Sequence, residues 1–106
     1  MTTEMRSILS ELRERLQAMY ATRLTQIVLF GSHARGDAEP GSDVDVLVVL
    51  EGPVEPCKEI ARTCEMVSSL SLTHGIVIAC VFMDQDRFTH RQGPLLRNVR
   101  REGVPI

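Results

Sequence analysis

The chain has no tryptophan, one tyrosine and three phenylalanines, so aromatic platforms on which single-stranded bases stack are scarce. It also lacks a positive excess: 12 basic side chains face 14 acidic ones, for a formal net charge of −2. Proteins that bind nucleic acid through its phosphate backbone carry the opposite imbalance, so strong nucleic-acid binding is not expected. No apolar run approaches the ~20 residues that span a bilayer. The opening MTTEMRSILSELRER is charged and amphipathic rather than a secretory signal, which makes cytoplasm the expected compartment. The three cysteines have no C-x-x-C spacing, which removes the usual zinc pattern. Cys57 and Cys64 lie seven apart on one expected helix, about 10 Å along its axis. A disulfide needs Cα atoms within about 7 Å, so these two do not pair locally. All three are expected as small buried hydrophobes.

What remains is an ordinary globular composition, 43% apolar and 25% charged, with 106 residues, enough for one hydrophobic core and too few for two. A single domain over residues 1–106 is expected. Apolar residues at Met5, Ile8, Leu9, Leu12, Leu16, Met19 and Tyr20 predict a helix over Thr3–Tyr20. Opposite charges interleave on its outer face, as a solvated surface requires. Gln26–Phe30 is a short apolar run closed by Gly31 and reads as a strand covered on both faces. Ser32–Arg35 has room for one helical turn before Gly36, and Asp37–Ser42 contains Pro40 and Gly41 and reads as a turn. Asp43–Leu50, DVDVLVVL, is a second strand. Its rear half is apolar throughout, while its front half puts two aspartates where the neighbours suggest burial. Pro56–Leu72 is helical, with Cys57, Ile60, Ala61, Cys64, Val67 and Leu70 as its apolar positions. Gly75–Met83 is a third strand, and Pro94–Glu102 a terminal helix bounded by Pro94 and Gly103.

The chemistry is concentrated in LFGSHARGDAEPGSDVDVLVVL, which begins at Leu29. A strand ending in glycine turns sharply and lets a ligand approach the backbone. A helical turn starting at Ser32 would aim free N–H groups and a hydroxyl at a phosphate, with Arg35 within about one turn. Residues two apart on a strand share a face, so Asp43 and Asp45 project together with Cα atoms roughly 6–7 Å apart. Paired metal ions in phosphoryl-transfer sites sit about 3.5–4 Å apart, a gap two such carboxylates can bridge. Each half alone has a plainer reading, a turn or a capping pair. In this order and separation, on two buried strands, the halves point to a site.

Gly31-Ser32, ten residues and Asp43-x-Asp45 together resemble the signature of the polymerase β-like nucleotidyltransferase superfamily. Arg35-Gly36 and Ser42 resemble its minimal bacterial branch, which includes antitoxins paired with HEPN toxins. The resemblance implies an α/β (α+β) nucleotidyltransferase fold, a small mixed sheet of three to four strands packed against helices. It implies an enzyme that transfers a nucleoside monophosphate, AMP from ATP, to a hydroxyl, with a tyrosine of a HEPN-type partner as the acceptor. Asp43 and Asp45 would bind two Mg²⁺ ions, and Gly31, Ser32, Arg35 and Ser42 would hold the nucleotide. The superfamily takes a third carboxylate from a later strand. Here that strand, GIVIACVFM, has none, and Asp84 and Asp86 follow it either as a displaced ligand or as a turn or helix cap. A second reading follows, of a weak or inactive nucleotide-binding antitoxin that acts by stoichiometric association. His33 inside the motif reads as an exposed loop residue, and the sequence leaves homo- and hetero-oligomers both open.

Overall fold

The computed structural model describes residues 1–106. Thr2 opens the first helix, α1 (Thr3–Tyr20), by accepting the Met5 N–H on its hydroxyl at 3.1 Å. That bond satisfies one of the unpaired donors of the first turn. The stripe Met5, Ile8, Leu9, Leu12, Leu16 and Tyr20 is buried as the spacing predicts. Ala21 ends the helix at φ 50°, the sole residue other than glycine with positive φ. A short 3-10 turn, Ala21–Arg23, then leads into β1 (Leu24–Phe30). The turn is held by Arg23, which donates to the carbonyls of Glu51 (3.0 Å) and Pro53 (3.2 Å).

After a one-turn helix α2 (Ser32–Arg35) and a loop, the chain returns antiparallel as β2 (Val44–Leu50). Helix α3 (Pro56–His74) crosses over, and β3 (Ile78–Asp84) lies parallel to β2. A parallel neighbour demands such a crossover. Helices α4 (Gln85–His90) and α5 (Pro94–Glu102) bring the chain to β4 (Val104–Pro105), antiparallel to β1. The mixed sheet runs β3-β2-β1-β4.

Strand β2 is the spine. All its residues but Asp45 are buried, because both faces are covered and side chains alternate between them. Val44, Val46, Val48 and Leu50 join α1 and α3 in the main core, whereas Leu47 and Val49 pack with Val28, Leu96 and Val99 beneath α5. Asp45 therefore belongs to the α5 side of the sheet.

Three expectations are corrected. Helix α3 buries Glu59, Thr63 and Leu70 rather than the full predicted stripe, and Ile60 is half exposed. The buried carboxylate accepts the Tyr20 hydroxyl at 2.8 Å and lies 3.3 Å from Arg62 Nε, while Thr63 donates to the Glu59 carbonyl at 2.9 Å. Hydrogen bonds thus let polar residues take the inner face. With the helix so turned, Cys57 and Cys64 are exposed; Cys80 on β3 is partly covered, and burial pushes its thiol up to about 12. Finally, Gly75 is the left-handed cap of α3 at φ 64° rather than the start of β3, a position that glycine occupies without steric cost. The sequence pattern marks neither α4 nor β4 as a segment, although a helix cap at Asp84 and a fourth strand are both among the expectations.

The Tyr20–Glu59 bond yields a stability prediction. Tyr20→Phe leaves a buried carboxylate short of a donor, which costs about 1–3 kcal/mol. A domain of this size loses roughly 4–8 °C per kcal/mol, so thermal unfolding followed by circular dichroism should show a clear drop. An unchanged midpoint would mean that Arg62 alone suffices.

Candidate functional site

Strand β1 stops at Gly31, whose φ of 78° and ψ of −157° are accessible without strain to glycine alone. A Cβ built there would collide with Oδ2 of Asp45 and stand 3.2 Å from its Cγ. The bare backbone and the carboxylate therefore lie in contact, one at the end of β1 and the other near the start of β2. Residues Phe30 and Asp45 are direct partners in the ladder, which sets this level.

Beyond Gly31 the chain folds at once into α2. The N–H groups of Ala34 and Arg35 donate to the Gly31 carbonyl at 3.1 and 3.0 Å, and Gly36 closes the turn in the left-handed region. Ser32 and His33, as its first residues, have no carbonyl behind them to bond within the helix. One turn carries little macrodipole, so any pull on an anion comes from these N–H groups and the Ser32 hydroxyl themselves.

The loop after α2 is tied back to it. Ser42 donates its N–H to the Glu39 carbonyl and accepts the Glu39 N–H on its hydroxyl, both at 3.0 Å. His33 Nε2 lies 3.1 Å from the Ser42 carbonyl; since a carbonyl accepts, that nitrogen carries the proton. His33 is half-buried and bonded, so its reading as an exposed loop residue is corrected. Arg35 donates to Asp37 and to Glu102 of α5, each at 3.1 Å.

Asp43 is exposed and precedes the first ladder residue, Val44, whose N–H donates to Val77 at 2.8 Å. Asp45 is partly buried. Burial first, and the Asp43 charge second, hold its carboxyl above the usual carboxylate range, against the opposing charges of His33 and Arg35. The two acids, His33 and Arg35 thus share one electrostatic neighbourhood.

The third carboxylate is not beside them. Asp45 is level with Ala79 on β3, whereas Asp84 is level with Leu50. Five residues of strand separate those levels, roughly 17 Å. Asp84 instead caps α4, accepting the Arg87 N–H at 2.7 Å, and Asp86 is exposed 3.6 Å from His90. No three His, Cys, Asp or Glu side chains converge anywhere in the chain. Two carboxylates that need phosphate oxygens and water to complete a shell still fit magnesium, which favours that mixture.

Two predictions follow from this geometry. Gly31→Ala places a methyl on the Asp45 carboxylate in a disfavoured backbone region, costing on the order of 1–3 kcal/mol for the backbone alone; its unfolding midpoint should fall by several degrees. The raised carboxyl of Asp45 makes the opposite case. A group whose folded pKa exceeds its unfolded value gives stability at low pH that is lost as pH rises through the folded pKa. Metal-free Asp45→Asn should therefore gain on the wild type from the carboxylate range up to neutral pH and melt higher at pH 7. A lower midpoint at pH 7 would show that the ionised carboxylate is stabilising.

The profile of the nucleotidyltransferase domain family matches residues 9–100. A candidate protein adenylyltransferase of Methanocaldococcus jannaschii is 34% identical over 89 residues, 83% of each chain. The structure of a candidate minimal nucleotidyltransferase aligns at 25% identity over 94% of each chain, with a TM-score of 0.58. A chain of a toxin–antitoxin crystallised with AMP-PNP shares the fold at 21% identity and a TM-score of 0.63, over 98% of this chain and 72% of its own. With a family profile that spans most of the sequence, and a sheet, a glycine-serine bend and an aspartate pair arranged as described, the chain belongs to the nucleotidyltransferase domain family.

Proposed function

We propose that this enzyme transfers AMP from ATP, with magnesium, to a hydroxyl of a partner protein, and that the acceptor is a tyrosine of a HEPN-type toxin that the modification silences. The contact between Gly31 and Asp45 carries the reading, because it sets a backbone free of side chain against a carboxylate that a metal ion can share with a triphosphate. The toxin–antitoxin crystallised with AMP-PNP, an ATP analogue, and the protein adenylyltransferase relative support ATP and a protein acceptor.

Asp43 and Asp45 would hold the magnesium, and a second ion would depend on the nucleotide for most of its ligands. Bound there, magnesium would neutralise phosphate charge and favour ionisation of the acceptor hydroxyl. The N–H groups of Ser32 and His33 and the Ser32 hydroxyl would donate to the β- and γ-phosphates, which leave as pyrophosphate when the acceptor oxygen bonds the α-phosphorus. Gly31 gives the phosphates room. Ser42 uses its oxygen to shape the loop and keeps its own proton for an anion. Arg35 would reach the phosphates by exchanging one of its carboxylate partners.

One observation favours a second reading, of a stoichiometric nucleotide-binding antitoxin: the strand position level with Asp45 is Ala79, not an acid. The two separate in an assay with labelled ATP, Mg²⁺ and the product of the neighbouring gene. Label on that protein, reduced at least about a hundredfold by Asp43→Asn or Asp45→Asn, supports transfer; that is the scale of losing one transition-state stabiliser. Neutralisation of the toxin without label supports the binder. Ala79→Asp adds a carboxylate beside Asp45 and should tighten Mg²⁺ binding, measured by calorimetry with ATP present. Equal or weaker binding would show that Ala79 is not where a third ligand acts.

A further inference from the structure

Next to the site, α1, α2 and β4 enclose an open groove of about 610 Å³. Its floor is aliphatic, built from Leu9, Ala34, Val104 and Ile106, and its basic side chains are Arg6, Arg13 and Arg35. No acidic side chain lines it. That is unexpected in a chain with 14 acids against 12 bases. On the same helix Glu11 lies 3.7 Å from Arg15 and 3.0 Å from His74. Arg6 and Arg13 make no ion pair and no side-chain hydrogen bond within the chain. They are seven residues apart, two turns of one helix, which sets them on the same side about 10 Å from each other.

We infer that this groove docks the segment of the partner protein that carries the acceptor hydroxyl, and that the segment is helical, with two carboxylates about seven residues apart flanking aliphatic side chains. The inference rests on the proposed transfer to a protein. Guanidinium forks match carboxylates in geometry as well as charge, and an aliphatic floor suits the apolar stripe of an amphipathic helix. RNA fits less well, because no Phe, Tyr or Trp lines the groove and its one imidazole, His33, is held by the Ser42 carbonyl. His33 joins the groove to the chemistry. It lines the groove, binds the Ser42 carbonyl, and its charge is felt by Asp45. A segment seated on Arg6 and Arg13 and running toward His33 would bring its end to the bend at Gly31, which Asp45 touches.

The test uses the full chain and two probes, a displayed library of random 16-residue peptides and a random single-stranded RNA pool. The wild type should enrich peptides with paired acids six to eight residues apart. Those peptides, made synthetically, should bind Arg6→Glu/Arg13→Glu at least tenfold more weakly by fluorescence anisotropy, and lysine-for-acid versions should recover affinity for that variant. Arg6→Gln/Arg13→Gln, a milder change on an exposed face, should lie between. Enrichment without acidic bias, no enrichment, affinity indifferent to both double variants, or preferential selection of RNA would each overturn the inference. Titration of the same variants with Mg-ATP keeps the two claims apart. Nucleotide binding with no acidic peptide would sink the groove alone, whereas acidic peptides with no nucleotide binding in the wild type would sink the site.

Discussion

A carboxylate pressed against a backbone that has no side chain is the constraint on which the rest of the site depends. Only glycine permits it at position 31, on two separate grounds: the backbone angles there, and the collision any Cβ would have with Asp45. The antiparallel register that pairs Phe30 with Asp45 brings the bend and the acid to one level. That register is held by the run Val46–Leu50, buried on both faces, since a one-residue slip would exchange every side chain between the α1/α3 core and the α5 side. The hydrophobic core thus aligns a polar site that lies at its edge.

The same arrangement is costly to an ionised Asp45. Partial burial and the neighbouring Asp43 both oppose its charge, and His33 and Arg35 offset the effect incompletely. Strain of this kind is characteristic of places where a ligand completes the electrostatics. A divalent cation between the two acids would reverse the sign of their mutual effect, turning repulsion into shared attraction. Folding alone gives no reason for two aspartates there; the metal-assisted phosphoryl chemistry proposed for the site would.

Much of this was legible in the sequence because it is local. The stripe of α1, the apolar run of β2 and the glycine-serine and aspartate pairs each announce themselves within a few residues. The family profile and the mixed sheet bear out the nucleotidyltransferase reading. What could not be read depends on partners far along the chain. Glu59 is buried against Tyr20, 39 residues earlier, which donates to it, and α3 is turned from the expected face so that two cysteines are exposed. Strand β4 has two residues and forms only because α5 returns it to β1. The placing of Asp84 followed from sheet register: its distance from Asp45 is a matter of how β3 slides along β2, and nothing in MDQDRF records that. The bond from His33 to Ser42 left no trace beyond closeness to the motif.

The bridge from Arg35 to Glu102 links the bend to the far end of the chain, 67 residues on. Arg35 is largely open to solvent, so the bridge adds little to folding, and weakness makes it exchangeable. The polyanion proposed to bind at the bend would compete with Glu102 for the same guanidinium. Such an exchange would free Glu102 at the end of α5, just before the strand that borders the neighbouring groove. A contact of little worth to stability would then stand between the proposed nucleotide site and the proposed docking groove.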